Sequence, residues 1–119
     1  MTKMQNSKRY DLEERTLQFA KRVIALVNSV PKTLPNVEIG RQLVKSSGSV
    51  GANYIEANES LSKKDFSMRI KICRKESKES RYWLKLIQVK REDEEEREAL
   101  ILEATELMKI FGSIVEKSK

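Results

Sequence analysis

The chain has 119 residues and a formal net charge of +6, a length that fits one compact domain with a single hydrophobic core. Its 39% hydrophobic and 35% charged residues, with only four glycines and two prolines, favour helices over a β-rich or disordered chain. Histidine is absent and there is one cysteine, which excludes the commonest general base and the usual zinc and di-iron ligand sets. We therefore predict a protein that is not an enzyme and that holds no metal or cofactor.

The first predicted helix begins at Asp11, which forms a capping pair with Glu14, and ends before Pro31. Its apolar residues recur at helical spacing: Leu12, Phe19, Val23, Leu26 and Val30. Residues 1–9 are polar and are predicted to form a flexible N-terminal tail. The predicted single domain therefore covers residues 10–117.

The second predicted helix, capped by Asn36 and ending near Ala57, carries an unusual row of polar residues. The row advances in steps of four and three, and its members are Gln42, Ser46, Ser49, Asn53 and Glu56. Small hydroxyl and amide side chains in a regular row, with Gly48 and Gly51 among them, are typical of close helix packing or a lined interior. The row is predicted to form an intrachain polar network, a subunit interface or the lumen of an oligomer, and the sequence leaves these alternatives open.

The third predicted helix opens with Ser62 and Asp65, a capping box, and has the most regular heptad pattern of the chain. Its core positions are Phe66, Ile70, Cys73, Ser77, Ser80, Leu84 and Ile87. We interpret Cys73 as a buried, reduced core residue. The fourth helix is predicted to begin at Asp93, and its apolar stripe is Leu100, Ala104, Leu107, Phe111 and Ile114. Because the connections are short, the helices are predicted to form an all-α, antiparallel up-down-up-down four-helix bundle.

Three of the helices carry residues, most of them apolar, that one bundle core does not obviously need. On the third helix, Ile72, Glu76 and Trp83 lie about a quarter turn or more from the heptad core. Further surplus positions on the first and fourth helices are Leu17, Ala20, Ile24, Ile101, Met108 and Val115. We interpret part of this surplus as an oligomer interface and predict that the chain associates with copies of itself.

The positive charge is concentrated on the third helix. Residues 61–91 contain eleven Lys and Arg against three Asp and Glu, a balance of +8, whereas residues 92–119 contain four against nine, a balance of −5. Five lysines form a row opposite the heptad core: Lys64, Lys71, Lys75, Lys78 and Lys85. Such a row predicts nonspecific binding of RNA or DNA backbone, guided by charge and shape because few aromatic residues are present to stack bases. The alternative is a protein-interaction scaffold in which the same lysines keep the protein in solution.

The sequence gives no indication of a membrane partner. No apolar run reaches the ~20 residues that a membrane-spanning helix needs. The N-terminal residues also lack the apolar core of a signal peptide. We therefore expect a cytoplasmic protein.

Three segments of the chain carry distinctive motifs: QLVKSSGSVGANYIEA at residues 42–57, SKKDFSMRIKICRKESKESRYWLKLI at residues 62–87 and EATELMKIFGSIV at residues 103–115. In these segments the chain resembles the bacterial four-helix-bundle protein family of the 23S rRNA intervening sequence. The resemblance implies a four-helix bundle that assembles as a ring-like homopentamer. Related accessory proteins of diversity-generating retroelements are similar in architecture and bind nucleic acid and a reverse transcriptase, which implies RNA, DNA or a reverse transcriptase as a partner of this chain.

Overall fold

A computed structural model describes residues 3–119, with the side chains from Asp11 onward. The chain forms α1 (Lys3–Ser29), α2 (Leu34–Asn58), α3 (Lys63–Leu86) and α4 (Glu94–Lys117), with a short 3-10 turn at Arg91–Asp93 before α4. No strand occurs between residues 3 and 119. Each helix packs against its neighbours in the chain, and α1 also contacts α4, which confirms the predicted four-helix bundle. Over the same residues, no helix is both long enough and apolar enough to cross a membrane.

The start of α1 differs from the prediction. The helix begins at Lys3, so Asp11 lies in its interior and the predicted cap at Asp11 is wrong. The residues before Asp11 include no glycine or proline, and nothing in their local chemistry stops the helix from extending towards the N-terminus. The flexible tail predicted for residues 1–9 stays a prediction, because Met1 and Thr2 and the side chains of residues 3–10 lie outside the described part of the chain.

The cap of α2 is Thr33 and not Asn36, so the predicted cap is wrong. The Thr33 hydroxyl accepts a hydrogen bond from the Asn36 backbone amide at 3.3 Å, and Pro35 occupies the first turn, where its missing N–H costs nothing. The Asn36 side chain is 2% exposed and donates to the carbonyl oxygens of Pro31 and Gln88, both at 2.9 Å. Its Oδ1 also accepts from the Gln88 amide at 3.0 Å. Asn36 therefore joins the α1–α2 connection to the loop that follows α3.

The caps of α3 and α4 follow the prediction to different degrees. Ser62 caps α3, because its hydroxyl accepts from the Asp65 backbone amide at 3.1 Å. Asp93 holds the capping position of α4, but its side chain makes no capping hydrogen bond. Its carboxylate instead accepts from the Ser29 hydroxyl at 2.7 Å, and so contributes to the contact between α4 and α1.

The bundle core contains the predicted stripes with a few changes. Every predicted heptad position of the third helix is buried except Phe66, which is half-buried and packs against the core, and the last of them, Ile87, directly follows α3 as its C-cap. In α4 the surplus position Val115 is buried, at 6% exposed, whereas the predicted core residue Ile114 is only partly buried. Cys73 is fully buried, as predicted, and its Sγ donates to the Val50 carbonyl at 3.4 Å.

Two different kinds of contact hold α1 against its neighbours. A Cβ added at Gly51 would lie 2.9 Å from Thr16 Oγ1, and one at Gly40 would lie 3.0 Å from Val27 Cγ1, so glycine permits the close approach of α2 to α1. Between α1 and α4, two bidentate ion pairs with N–O distances of 2.7 to 3.0 Å add to the Ser29–Asp93 hydrogen bond: Arg15 with Glu103 and Arg22 with Glu96. The hydrogen bond to the paired carboxylate is the main reason that the pKa of each arginine is raised.

Candidate nucleic-acid interface

The five lysines of the predicted row all lie on the outer face of α3 and are exposed to solvent: Lys64, Lys71, Lys75, Lys78 and Lys85. At about 100° per residue they occupy an arc of about 80° on the helix. They extend about 32 Å along the helix axis at about 1.5 Å per residue. The opposite side of α3 is the buried heptad, so these side chains have no place in the core. We refer to this surface as the lysine face.

Lys75 differs from the other four lysines of the lysine face, because its ammonium group lies close to two carboxylates. Lys75 Nζ lies 3.8 Å from Glu76 Oε2 and 3.9 Å from Glu79 Oε2. Among the described residues, none of the other four lysines has an ion-pair partner. The charge of Lys75 is therefore partly offset, whereas the other four ammonium groups are available to an anion.

Two arginines extend the positive surface from the lysine face towards α4. A Cβ placed on Gly112 would lie 3.6 Å from Arg74 Nε, so the guanidinium rests against the bare backbone of α4. Arg81 Nη1 lies 3.4 Å from Thr105 Oγ1. Arg74 and Lys109 both line a groove of about 460 Å³. The prediction did not include these arginines in the basic face, although their spacing of seven residues in the sequence was a visible signal.

The polar row of α2 lies beside α3, where part of it forms intrachain contacts. Ser46 and Ser80 are buried and their hydroxyl oxygens are 2.9 Å apart. Asn53 Oδ1 accepts from Arg69 Nη1 at 2.9 Å, and Ser49 donates to the Lys45 carbonyl of its own helix at 2.9 Å. Ser46, Ser49 and Asn53 therefore make hydrogen bonds within the chain, and the role of the whole row stays a prediction.

Other members of the polar row border two surface grooves. Gln42 and Ser49 line a groove of about 210 Å³ together with Lys75, Glu76 and Glu79. Glu56 is exposed and lines a separate groove near the start of α3. A role of these residues in assembly stays a prediction.

Glu76 is the most buried carboxylate beside the lysine face, with a side chain that is 16% exposed. Burial is the main cause that raises its pKa, and the neighbouring charge of Glu79 raises it further. Lys75 and Lys45 lower the pKa but do not outweigh these effects. The groove between α2 and α3 therefore disfavours the charged form of Glu76.

The predicted surplus positions divide into two groups. Trp83 and Ile101 are half-buried and pack against the core, and Ile72 is also half-buried. Leu17 and Ile24 on α1 remain 47% and 45% exposed.

An exposed apolar strip joins α1 to α2, and the sequence prediction missed its α2 half. Exposed side chains on the two helices define this α1–α2 strip: Leu17, Ile24, Val37, Val44 and Ile55. A groove of about 350 Å³ lined by Val27, Val37 and Val44 runs between the helices. On α2, the strip residues and one glycine follow one another in steps of seven, four and seven residues: Val37, Val44, Gly48 and Ile55. This is the spacing of one face of a helix, so the sequence of α2 contains a second apolar stripe.

Comparison with known proteins identifies the family of this chain. The family model for the 23S rRNA-intervening sequence protein matches residues 8–113. The chain is also similar to a solved structure described as a protein with unknown function from the S23 ribosomal protein family of Bacteroides thetaiotaomicron VPI-5482. The two are 30% identical, the alignment covers 87% of this chain and 96% of that chain, and the TM-score is 0.75. No match was found among curated proteins. The family match extends over all four helices and confirms the resemblance seen in the sequence motifs: the chain belongs to the 23S rRNA-intervening sequence protein family.

Proposed function

We propose that the protein is a non-enzymatic, oligomeric four-helix bundle that binds the backbone of RNA or DNA nonspecifically through the lysine face. The observation that carries this proposal is the set of four exposed lysines on one side of α3 that have no ion-pair partner in the part of the chain that the structure describes. Arg74 and Arg81 add charge on the flank towards α4. The names of the family and of its solved relative refer to ribosomal RNA and a ribosomal protein, which favours RNA as the natural polyanion.

Binding of this kind follows from the release of counterions. A polyanion that contacts the lysine face releases the cations condensed on its phosphates, so affinity falls as salt rises. The positive groups of this surface are carried on long, exposed side chains along the outer face of a helix, an arrangement that follows the phosphate backbone and does not read base edges. Affinity is therefore expected to depend on salt and length and hardly at all on base composition.

Filter binding with labelled RNA tests the proposal. The wild-type chain is expected to retain RNA at about 50 mM salt and to lose at least tenfold in affinity at about 200 mM. A variant with Lys71, Lys78 and Lys85 changed to Glu is expected to lose retention. A matched control changes three exposed lysines on other surfaces to Glu: Lys21, Lys32 and Lys117. No retention of RNA by the wild-type chain at low salt, or an equal loss in both variants, would overturn the proposal.

Assembly with copies of the same chain is the second part of the proposal, and the α1–α2 strip is the surface that supports it. An exposed apolar strip along two adjacent helices is typical of surfaces that are covered by another protein. The family resemblance implies a ring-like homopentamer. Light scattering after size-exclusion chromatography is expected to give a mass well above the 13.8 kDa of one chain.

Variants of the strip separate assembly from general surface effects. Changing Ile24 and Val44 to Glu is expected to reduce the mass towards one chain, because two charges would be buried in the interface. Leu102 on α4 is 67% exposed and lies outside the strip, so Leu102→Glu serves as the control and is expected to keep the assembled mass. A wild-type chain that is strictly monomeric would refute the assembly proposal.

The second candidate function is a protein-interaction scaffold without direct nucleic-acid contact, such as an accessory subunit of a reverse transcriptase. The α1–α2 strip also favours this candidate, because it offers an apolar surface for a different protein. The lysine-face variant distinguishes the two functions. A correctly assembled variant whose RNA retention equals that of the wild type would favour the scaffold.

A further inference from the structure

One aromatic residue stands among the lysines on the outer face of α3. Tyr82 is 58% exposed. It follows Lys64 by eighteen residues, which is five full helical turns, so it lies at the same angle on the helix as the lysine face. It lies about 6 Å along the axis from Lys78 and about 4.5 Å from Lys85 at about 1.5 Å per residue.

The Tyr82 ring is supported from one direction and open in others. It meets the Trp83 ring in a T-shaped contact, with centroids 5.0 Å apart and an interplanar angle of 72°. Trp83 is half-buried and packs against the bundle core, so the Tyr82 ring rests against a residue of the packed bundle. The Tyr82 hydroxyl has no hydrogen-bond partner among the described residues. The ring therefore contributes little to the fold of one chain while presenting aromatic surface between the exposed ammonium groups of Lys78 and Lys85.

An aromatic ring flanked by cations matches the chemistry of an unpaired nucleotide. Bases stack on tyrosine through their π-faces, and this stacking tolerates any base. The phosphates on either side of the base require positive charge, which Lys78 and Lys85 supply. A base inside a duplex has both faces covered by its neighbours and cannot reach a ring on a convex helix.

We propose that the lysine face binds single-stranded nucleic acid, with Tyr82 stacking on one unpaired base and Lys78 and Lys85 contacting the flanking phosphates. This inference rests on the proposed function, because it assigns the class of nucleic acid to the same surface. The lysines alone bind single strands and duplexes, whereas Tyr82 makes the surface favour the single strand.

Fluorescence anisotropy with two labelled probes tests the inference. The probes are an oligothymidylate of about 20 nucleotides and a DNA duplex of about 20 base pairs, which is longer than the about 10 base pairs that the lysine face spans at about 3.4 Å per pair. Tyr82→Ala is expected to lower the affinity for oligothymidylate about tenfold and to leave the affinity for the duplex unchanged. Tyr82→Phe keeps the ring and is expected to bind both probes as the wild type does.

A further variant guards against a loss of folding. Tyr82→Leu keeps an apolar contact with Trp83 but has no aromatic face, and it is expected to show the same selective loss as Tyr82→Ala. Its helix content and thermal midpoint are measured by circular dichroism to establish that the bundle is intact.

The outcomes separate this inference from the proposed function. Selective loss of oligothymidylate binding in the Ala and Leu variants, with retention in the Phe variant, supports stacking by Tyr82. Unchanged binding of both probes by a folded Leu variant, or an equal loss for both probes, overturns the inference but leaves backbone binding by the lysines intact. No binding of either probe by the wild-type chain at low salt overturns the proposed function as well.

Discussion

Removing three of the five charges of the lysine face is expected to change how nucleic-acid affinity depends on salt. The variant replaces Lys71, Lys78 and Lys85 by Gln, which removes three charges without adding carboxylates and keeps a good helix former at each position. All three side chains are exposed and none has an ion-pair partner among the described residues. Lys85 lies in the last turn of α3, so its loss costs roughly 0.3 to 1 kcal/mol of helix-dipole stabilisation. The fold is expected to persist.

The magnitude follows from the number of free lysines. Each phosphate contact on a single strand contributes about 0.7 to the slope of log affinity against log salt. Arg74 and Arg81 lie against α4, so the phosphate contacts are assigned to the four free lysines, which predict a slope of about −2.8 for the wild type and about −0.7 for the variant that keeps only Lys64 of the four. Raising salt fourfold should then weaken wild-type binding about 50-fold and variant binding about threefold. If copies of the chain assemble and bind together, both slopes increase by the same factor and their ratio of about four is kept.

The assay is fluorescence anisotropy with a labelled oligothymidylate over about 50 to 200 mM salt. A control variant changes Lys21, Lys32 and Lys117 to Gln, which gives the same net charge through exposed residues elsewhere. The control is expected to keep the wild-type slope. Equal slopes for the wild type and the lysine-face variant would refute the assignment of phosphate contacts to α3. An equally reduced slope in the control would show that only the net charge matters.

Three further predictions concern the fold and its buried polar groups. Asn36→Ala removes three hydrogen bonds and should lower the free energy of unfolding by about 2 to 4 kcal/mol in urea denaturation, whereas the exposed control Asn28→Ala should change it by no more than about 0.5 kcal/mol; equal effects would refute the bridging role of Asn36. Burial raises the pKa of the Cys73 thiol to about 12, so Ellman's reagent at pH 8 should find no reactive thiol in the native chain and one after denaturation; rapid labelling of the native chain would contradict its burial. Because burial and then Glu79 raise the pKa of Glu76 above its ordinary value of 4.5, folding favours the protonated form and the stability that Glu76 contributes is lost as pH rises. Glu76→Gln should therefore raise the urea midpoint at pH 7, with an advantage that disappears below about pH 4.5; an advantage independent of pH would contradict this cause.

The sequence predicted the core well, because burial on one side of a helix produces a periodic pattern. The heptad of α3 was correct even at Ser77 and Ser80, which are polar but fully buried. Ser77 donates to the Cys73 carbonyl of its own helix at 2.8 Å, so it can be buried without a distant partner. Local periodicity is therefore sufficient to predict burial where the burial of a residue depends only on which side of the helix carries it.

Helix ends were less predictable, because several residues near one end can supply the same cap. Thr33 and Asn36 are both good capping residues and lie three positions apart. The choice depends on Gln88, which lies in a distant loop and occupies the hydrogen-bonding groups of Asn36. A contact between residues 52 positions apart in the chain leaves no local signal.

The sequence was sufficient to predict where the lysines of the candidate site lie, but not which of its basic residues contact other side chains or backbone. Seven-residue spacing placed the lysines on one outer face, and their exposure agrees with that placement. The offset of Lys75 by Glu76 and Glu79 and the contact of Arg74 with Gly112 depend on side-chain conformations and on packing between helices. The angle of Tyr82 can be read from the sequence, but its exposed fraction depends on how the bundle packs.

Lysine footprinting tests the central claim most directly. The wild-type chain is acetylated at low reagent concentration with and without oligothymidylate, and the modified lysines are quantified by mass spectrometry. Nucleic-acid binding through α3 predicts that Lys71, Lys78 and Lys85 are protected by the oligonucleotide, while Lys21 and Lys32 react at the same rate in both samples. Protection that is equal on all surfaces, or that is confined to lysines outside α3, would contradict the account.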